Sequence, residues 1–188
     1  RNIKPEASSM VKVVQSINLE AHAAYHIAKC YLNGDGGEED KIHAIELLRI
    51  AHEGGYTRAT YLLASCLQKA EGVKPEDLFL KLEEARDLYE KAAIEGHANA
   101  SYELAFAFIQ GIEVYIEGFG TAENDKTGIA FLKKAAENGN AKAMNLLGVC
   151  YLNGKGIKQN VEKAATYFRN AIKTGNILGK INLSSMFH

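Results

Sequence analysis

Alanine, leucine and glycine recur along this chain at intervals of three, four and seven residues, the spacing of one helical face. Glycine interrupts the pattern at regular places. The stretches therefore fall into pairs: a first helix, a glycine turn, a second helix and a glycine stop. Ala28-Lys29-Cys30-Tyr31-Leu32-Asn33-Gly34-Asp35-Gly36 is matched by Gly148-Val149-Cys150-Tyr151-Leu152-Asn153-Gly154-Lys155-Gly156, at an offset of 120 residues. The same offset relates Ala21 to Ala141, Ala44 to Ala164, Ala51 to Ala171 and Gly55 to Gly175. One offset held over so many positions marks an internal repeat.

Two further copies lie between these. One carries Ala59, Leu63, Ala64, Leu67, Ala85, Ala92 and Gly96; the other carries Ala98, Ala100, Leu104, Ala105, Phe108, Gly128, Ala135 and Gly139. The closing glycines Gly55, Gly96, Gly139 and Gly175 are spaced by 41, 43 and 36 residues. Repeats are expected at 21–55, 56–96, 97–139 and 140–175, with 1–20 a partial preceding unit or cap and 176–188 the start of another. Small residues share one phase at Ala28, Ala64, Ala105 and Gly148, which predicts a close helix crossing there. Asp40, Asn124 and Asn160 precede the second helices, where a short polar side chain accepts hydrogen bonds from free N–H groups. The closing glycines suit the left-handed backbone that ends a helix. The expected class is all-α.

Ala141, Ala143, Leu147, Gly148, Tyr151, Gly154 and Gly156 spell Ala-x-Ala-x3-Leu-Gly-x2-Tyr-x2-Gly-x-Gly. With the alanine-rich helix that follows, this resembles the Sel1-like repeat; the two close glycines set it apart from ordinary tetratricopeptide repeats. The resemblance covers roughly residues 20–187. It implies an α-solenoid of antiparallel helix pairs, wound as a right-handed superhelix with a concave face. It also implies adaptor roles in signalling, protein quality control or bacterial–host contact.

The middle repeats are longer. The third gains seven residues around Ile112-Glu113-Val114-Tyr115-Ile116, about two helical turns, so a helix lengthens there without rotating its buried face. The second gains five around Val73–Asp77, where Pro75 suits a first helical turn. Either the two extensions pack on each other, or Ile112, Val114, Tyr115 and Ile116 form a lobe that touches a partner.

The 188 residues carry 22 basic and 23 acidic side chains, a net charge of -1. That balance gives no electrostatic reason for a nucleic-acid or anionic-membrane partner. No apolar run is long enough to span a bilayer. The chain starts at Arg1 and no signal-peptide pattern follows, so either a leader was removed or the chain is a fragment, and the compartment stays open. Cys30, Cys66 and Cys150 share a packing phase and read as buried free thiols, which leans towards a reducing, cytoplasmic setting. No cysteine sits on a second helix, so the intra-repeat staples of some secreted relatives are absent.

His22, His26 and Cys30, spaced by four, are zinc-ligand types. They drift around the helix, and His26 matches Leu62 and Leu146, so ordinary packing is the expectation and no metal or cofactor is assigned. The Gly-x-Gly turns lack the strand and Gly-Lys-Ser/Thr of a phosphate loop. Glu38-Glu39-Asp40 and Glu83-Glu84 read as solvated helix starts and faces. Asn99 and Asn182 open glycosylation triplets, but both fall in helices. No nucleophile–base constellation follows from spacing, so catalysis is not expected.

In a superhelix of helix pairs the first helices line the concave side. Their non-core phases hold four rows: His22, Arg58, Asn99 and Lys142; Tyr25, Tyr61, Tyr102 and Asn145; Lys29, Ser65, Phe106 and Val149; and Asn33, Lys69, Gln110 and Asn153. Tyrosine offers a large contact area with a polar tip, and Lys or Arg clamps a carboxylate. The competing reading is that these tyrosines only pack between stacked helices. The expected function is a non-catalytic scaffold or adaptor binding a peptide or protein partner. An effector or immunity protein and, further off, a small-molecule binder or hydrolase are the alternatives. Terminal units of such arrays expose apolar faces, which makes homodimerisation through an end a further expectation.

Overall fold

A computed structural model describes residues 5–35, 37–69, 78–110 and 125–186. Helices occupy Pro5–Asn33 (α1), Lys41–Glu53 (α2), Thr57–Gln68 (α3), Leu78–Ile94 (α4), Ala98–Gln110 (α5), Asp125–Glu137 (α6), Ala141–Asn153 (α7), Val161–Lys173 (α8) and Ile177–Ser185 (α9). No strand occurs among the described residues. The chain divides into two compact units, residues 1–88 and 89–188.

Each second helix stops in the same way. Gly55, Gly96, Gly139 and Gly175 have φ of 80°, 91°, 82° and 90°, where any side chain would strain the backbone. In the last of these, Gly175 N–H donates to the Ile172 carbonyl at 3.0 Å and Asn176 N–H to the Ala171 carbonyl at 2.8 Å. The other three closing turns repeat this pair of bonds, the geometry that satisfies the last carbonyls of a helix. Starts are equally local. Asp40 accepts from Ile42 and His43 N–H at the head of α2, and Asn160 from Lys163 N–H at the head of α8. Their own N–H groups donate to the Tyr31 and Tyr151 carbonyls. Asn124 lies outside the described residues.

In the first unit α2 packs on α1 and α3 on α2. Ala21, Ala28, Ala44, Leu48, Ala51, Leu63 and Ala64 are buried there. Gly54 lets α2 close on α1: a Cβ at Gly54 would stand 2.5 Å from Ala21 Cβ. α1 is continuous across Asn18–Ala21, so the leading segment and the first repeat helix form one element. α4 begins seven residues before Ala85, whereas α2 and α8 begin three before Ala44 and Ala164. Pro75 and the rest of that insertion lie outside the described residues. So do Ile112, Val114, Tyr115 and Ile116.

In the second unit α5 packs on α6, α6 on α7, α7 on α8, and α8 on α9. The core gathers Ala105, Ile109, Ile129, Leu132, Leu147, Cys150, Tyr151, Ala164 and Phe168. Gly148 sits against the Phe168 ring, where a Cβ would be 2.6 Å from Cε1. The shared small-residue phase is thus a close crossing, as the sequence predicts. Lys155 Nζ donates to the Ile109 carbonyl near the end of α5.

Three expectations are corrected. Cys66 and Cys150 are buried, but Cys30 is exposed. His26 is exposed too, not packed in the core. The cause is the same for both. α7 is sandwiched between α6 and α8, whereas α2 is the helix that covers α1 among the described residues. Tyr31, 38% exposed, and its counterpart Tyr151, 6% exposed, show the same contrast. Thirdly, Glu84 is not a solvated face residue: it makes a two-pronged bond to Arg49 of α2 and a 3.1 Å contact with Lys81.

Candidate functional site

The first helices present their non-core phases at or near the surface. In the first unit His22, Lys29, Asn33, Arg58 and Lys69 are exposed, and Tyr25, Tyr61 and Ser65 are half-buried. In the second unit Asn99, Lys142 and Asn153 are exposed, and Tyr102, Phe106, Asn145 and Val149 are half-buried. Gln110 closes α5.

The first unit gathers four rings on the α1 side. His22 and His26 lie 4.5 Å apart between centroids, Tyr56 meets His22 edge-on at 5.3 Å, and Tyr25 meets both His26 (5.2 Å) and Tyr56 (5.0 Å) edge-on. Edge-to-face contact is the favourable arrangement for rings at these distances. Lys29 Nζ stands 6.0 Å from the Tyr25 centroid, at the outer limit of a cation–π contact. Beside the rings opens a cleft of about 470 Å³, lined by Asn18, Leu19, Ala21, His22, Gly54, Gly55 and Tyr56. It exists because α1 runs straight through Leu19, where the fourth repeat has the turn glycine Gly139.

Sequence reasoning missed Tyr56 and set His26 aside as a packing residue. The signal for Tyr56 was its position: it stands where Asn140 and Asn176 cap the next first helices, yet it makes no side-chain cap. An aromatic residue at a capping position is free to do something else. For His26 the signal was its departure from Leu62 and Leu146.

In the second unit the same phases are tied together by amides and packing. Asn140 Nδ2 donates to Asn99 Oδ1 at 2.8 Å, and Asn182 Nδ2 to Asn145 Oδ1 at 2.9 Å. Both glycosylation-triplet asparagines are therefore engaged between helices. Tyr102 lies 6.0 Å from Phe106 and packs on the core, with Lys142 Nζ 5.9 Å from its ring centroid. Burial, with the Glu103 charge second, pushes the Tyr102 phenol above its ordinary range. Tyr102 thus packs and presents an edge at once. Cys150 is pushed up to about 11, chiefly by burial, so it is inert as a nucleophile near neutral pH.

His52 Nδ1 and Thr60 Oγ1 are 2.9 Å apart and Thr60 is 1% exposed, so this pair braces α2 against α3. Among the described residues, no three His, Cys, Asp or Glu side chains converge as a metal-binding set. No described helix is long and apolar enough to cross a membrane.

The Sel1 repeat family model matches residues 21–56, 57–97, 98–140 and 141–176. The chain belongs to the Sel1 repeat family. Sel1 repeat proteins are typically non-catalytic scaffolds that mediate protein–protein interactions. An uncharacterized protein of Neisseria meningitidis serogroup B is 29% identical over 178 residues, covering 82% of this chain and 36% of that protein. The chitin synthase regulator SKT5 of Saccharomyces cerevisiae is 28% identical over 155 residues, covering 81% of this chain and 21% of the regulator. The chain thus spans well under half the length of these relatives. Among solved structures, a protective antigen of uropathogenic Escherichia coli superposes with a TM-score of 0.76 at 25% identity, over 93% of this chain and 36% of the antigen. A Sel1 repeat protein from Oxalobacter formigenes gives 0.73 at 21% identity, over 97% of this chain and 66% of the other. These likenesses establish the helix-pair solenoid as the fold class.

Proposed function

We propose that this Sel1 chain is a non-catalytic adaptor that holds a peptide or protein segment on the exposed side of its first helices. The anchor is the four-ring cluster of His22, Tyr25, His26 and Tyr56 with its adjoining cleft. One observation carries the reading: edge-packed rings border a largely apolar cleft of about 470 Å³, the combination that dominates binding energy at protein interfaces. Leu19 supplies apolar contact, His22 and Tyr56 supply polar tips, and Lys29 and Arg58 stand exposed to meet a carboxylate. A relative named as a regulator of an enzyme fits a protein that works by holding another.

Peptide-display selection on the purified chain, followed by titration calorimetry, tests this. Selected peptides should lose about tenfold or more in affinity, or ~1.4 kcal/mol, on His22→Ala/Tyr56→Ala, with the circular-dichroism melt little changed. Peptides that bind this variant as tightly as the parent would sink the proposal.

A further inference from the structure

His22 and His26 stand one turn apart on an exposed part of α1, and their Nε2 atoms are 3.3 Å apart. Their ring planes are inclined by 52°. Each imidazole is wedged edge-on against a different phenol, Tyr56 for His22 and Tyr25 for His26. Two arrangements bring imidazole nitrogens together: one ring donates to the other, or both lone pairs converge on a cation. A ring-to-ring hydrogen bond and a shared cation both fit this separation. A tetrahedral zinc with Zn–N bonds of about 2.0–2.1 Å sets its ligand nitrogens about 3.3–3.4 Å apart. A square-planar centre with bonds of that length would require about 2.8–3.0 Å between neighbouring ligands.

We propose that His22 and His26 form a two-ligand site for a divalent first-row cation, at a nitrogen separation that suits tetrahedral zinc. Ligation runs through both Nε2 atoms, which leaves the proton of each neutral ring on Nδ1. The two phenols pack against the two imidazole rings. Two tetrahedral positions remain open to water or to an incoming donor. Cys30 takes no part: it lines a separate cleft of about 270 Å³ with Ile27, Tyr31 and Asp35. The site shares His22 and His26 with the adaptor's ring cluster, but its test reads zinc alone and needs no peptide.

Zinc chloride is titrated into the full chain, freed of any polyhistidine tag, by calorimetry and by ¹H–¹⁵N imidazole spectra. One zinc per chain should bind, with both Nε2 resonances moving. His22→Ala and His26→Ala should each weaken binding about tenfold or more. Both side chains are exposed, so these variants keep the fold, as a melt verifies. His43→Ala is the control, since His43 Nδ1 lies 2.6 Å from Asp40 Oδ2 and is another imidazole beside a carboxylate. No saturable zinc binding, or binding that survives His22→Ala and His26→Ala but is lost in His43→Ala, overturns the proposal.

Discussion

Gly148 and Ala105 occupy one repeat phase, yet they are not interchangeable. A Cβ at Gly148 would meet Phe168 Cε1 at 2.6 Å and Cδ1 at 2.7 Å. Phe168 is fully buried in the α7–α8 core and has nowhere to swing. Alanine gains about 1 kcal/mol over glycine in a helix interior, but overpacking a close-packed core costs about 1–3 kcal/mol. The clash wins because a rigid ring stands in the way. Gly148→Ala should therefore lower the unfolding free energy by up to about 2 kcal/mol in a urea titration, net of the propensity gain. An unchanged midpoint would mean that α7 and α8 can move apart freely. The sequence showed that a small residue belongs at this phase. It did not show which copies tolerate a methyl, because that depends on the one ring facing each.

At the scale of helices, the starts and stops were legible and the ties between repeats were not. Asp40, Asn160 and the closing glycines act within a few residues of themselves, so local sequence reveals them. Arg49 and Glu84 lie 35 residues apart and meet because α4 lies beside α2. The Arg49 bond, aided by Lys81, holds the Glu84 carboxyl below its ordinary range. A lowered carboxyl pKa adds stability above the unfolded-state value, and the gain is lost as pH falls through the folded value. Arg49 is 37% exposed and Glu84 28%, so solvent screening keeps the pair to about 1 kcal/mol or less. The stability difference between the parent chain and Glu84→Gln should be constant from neutral pH down to about 5. It should shrink below about 4.3, the ordinary glutamate value. Thermal melts across that range check it, and a difference that grows in acid would contradict the pairing.

For the molecule as a whole, the repeat design makes stability a sum over bricks and their nearest neighbours. Damage in one brick should stay near it. In hydrogen exchange, Gly148→Ala should cost protection mainly in α7, α8 and their neighbours α6 and α9, with little change in α1 and α2. Uniform loss over both units would show a single cooperative block instead. The amino-acid order alone determined the helix pairs, their glycine stops, their caps and the phase of the core, because each is set by backbone preferences within one or two turns. Tertiary structure alone decided that Cys30 and His26 face solvent although their counterparts pack. It also decided that Asn145 is bonded to Asn182, and that Tyr56 closes a ring cluster with His22, Tyr25 and His26. Burial and contact depend on which helix lies alongside, and identical phases meet different neighbours at different places along the array.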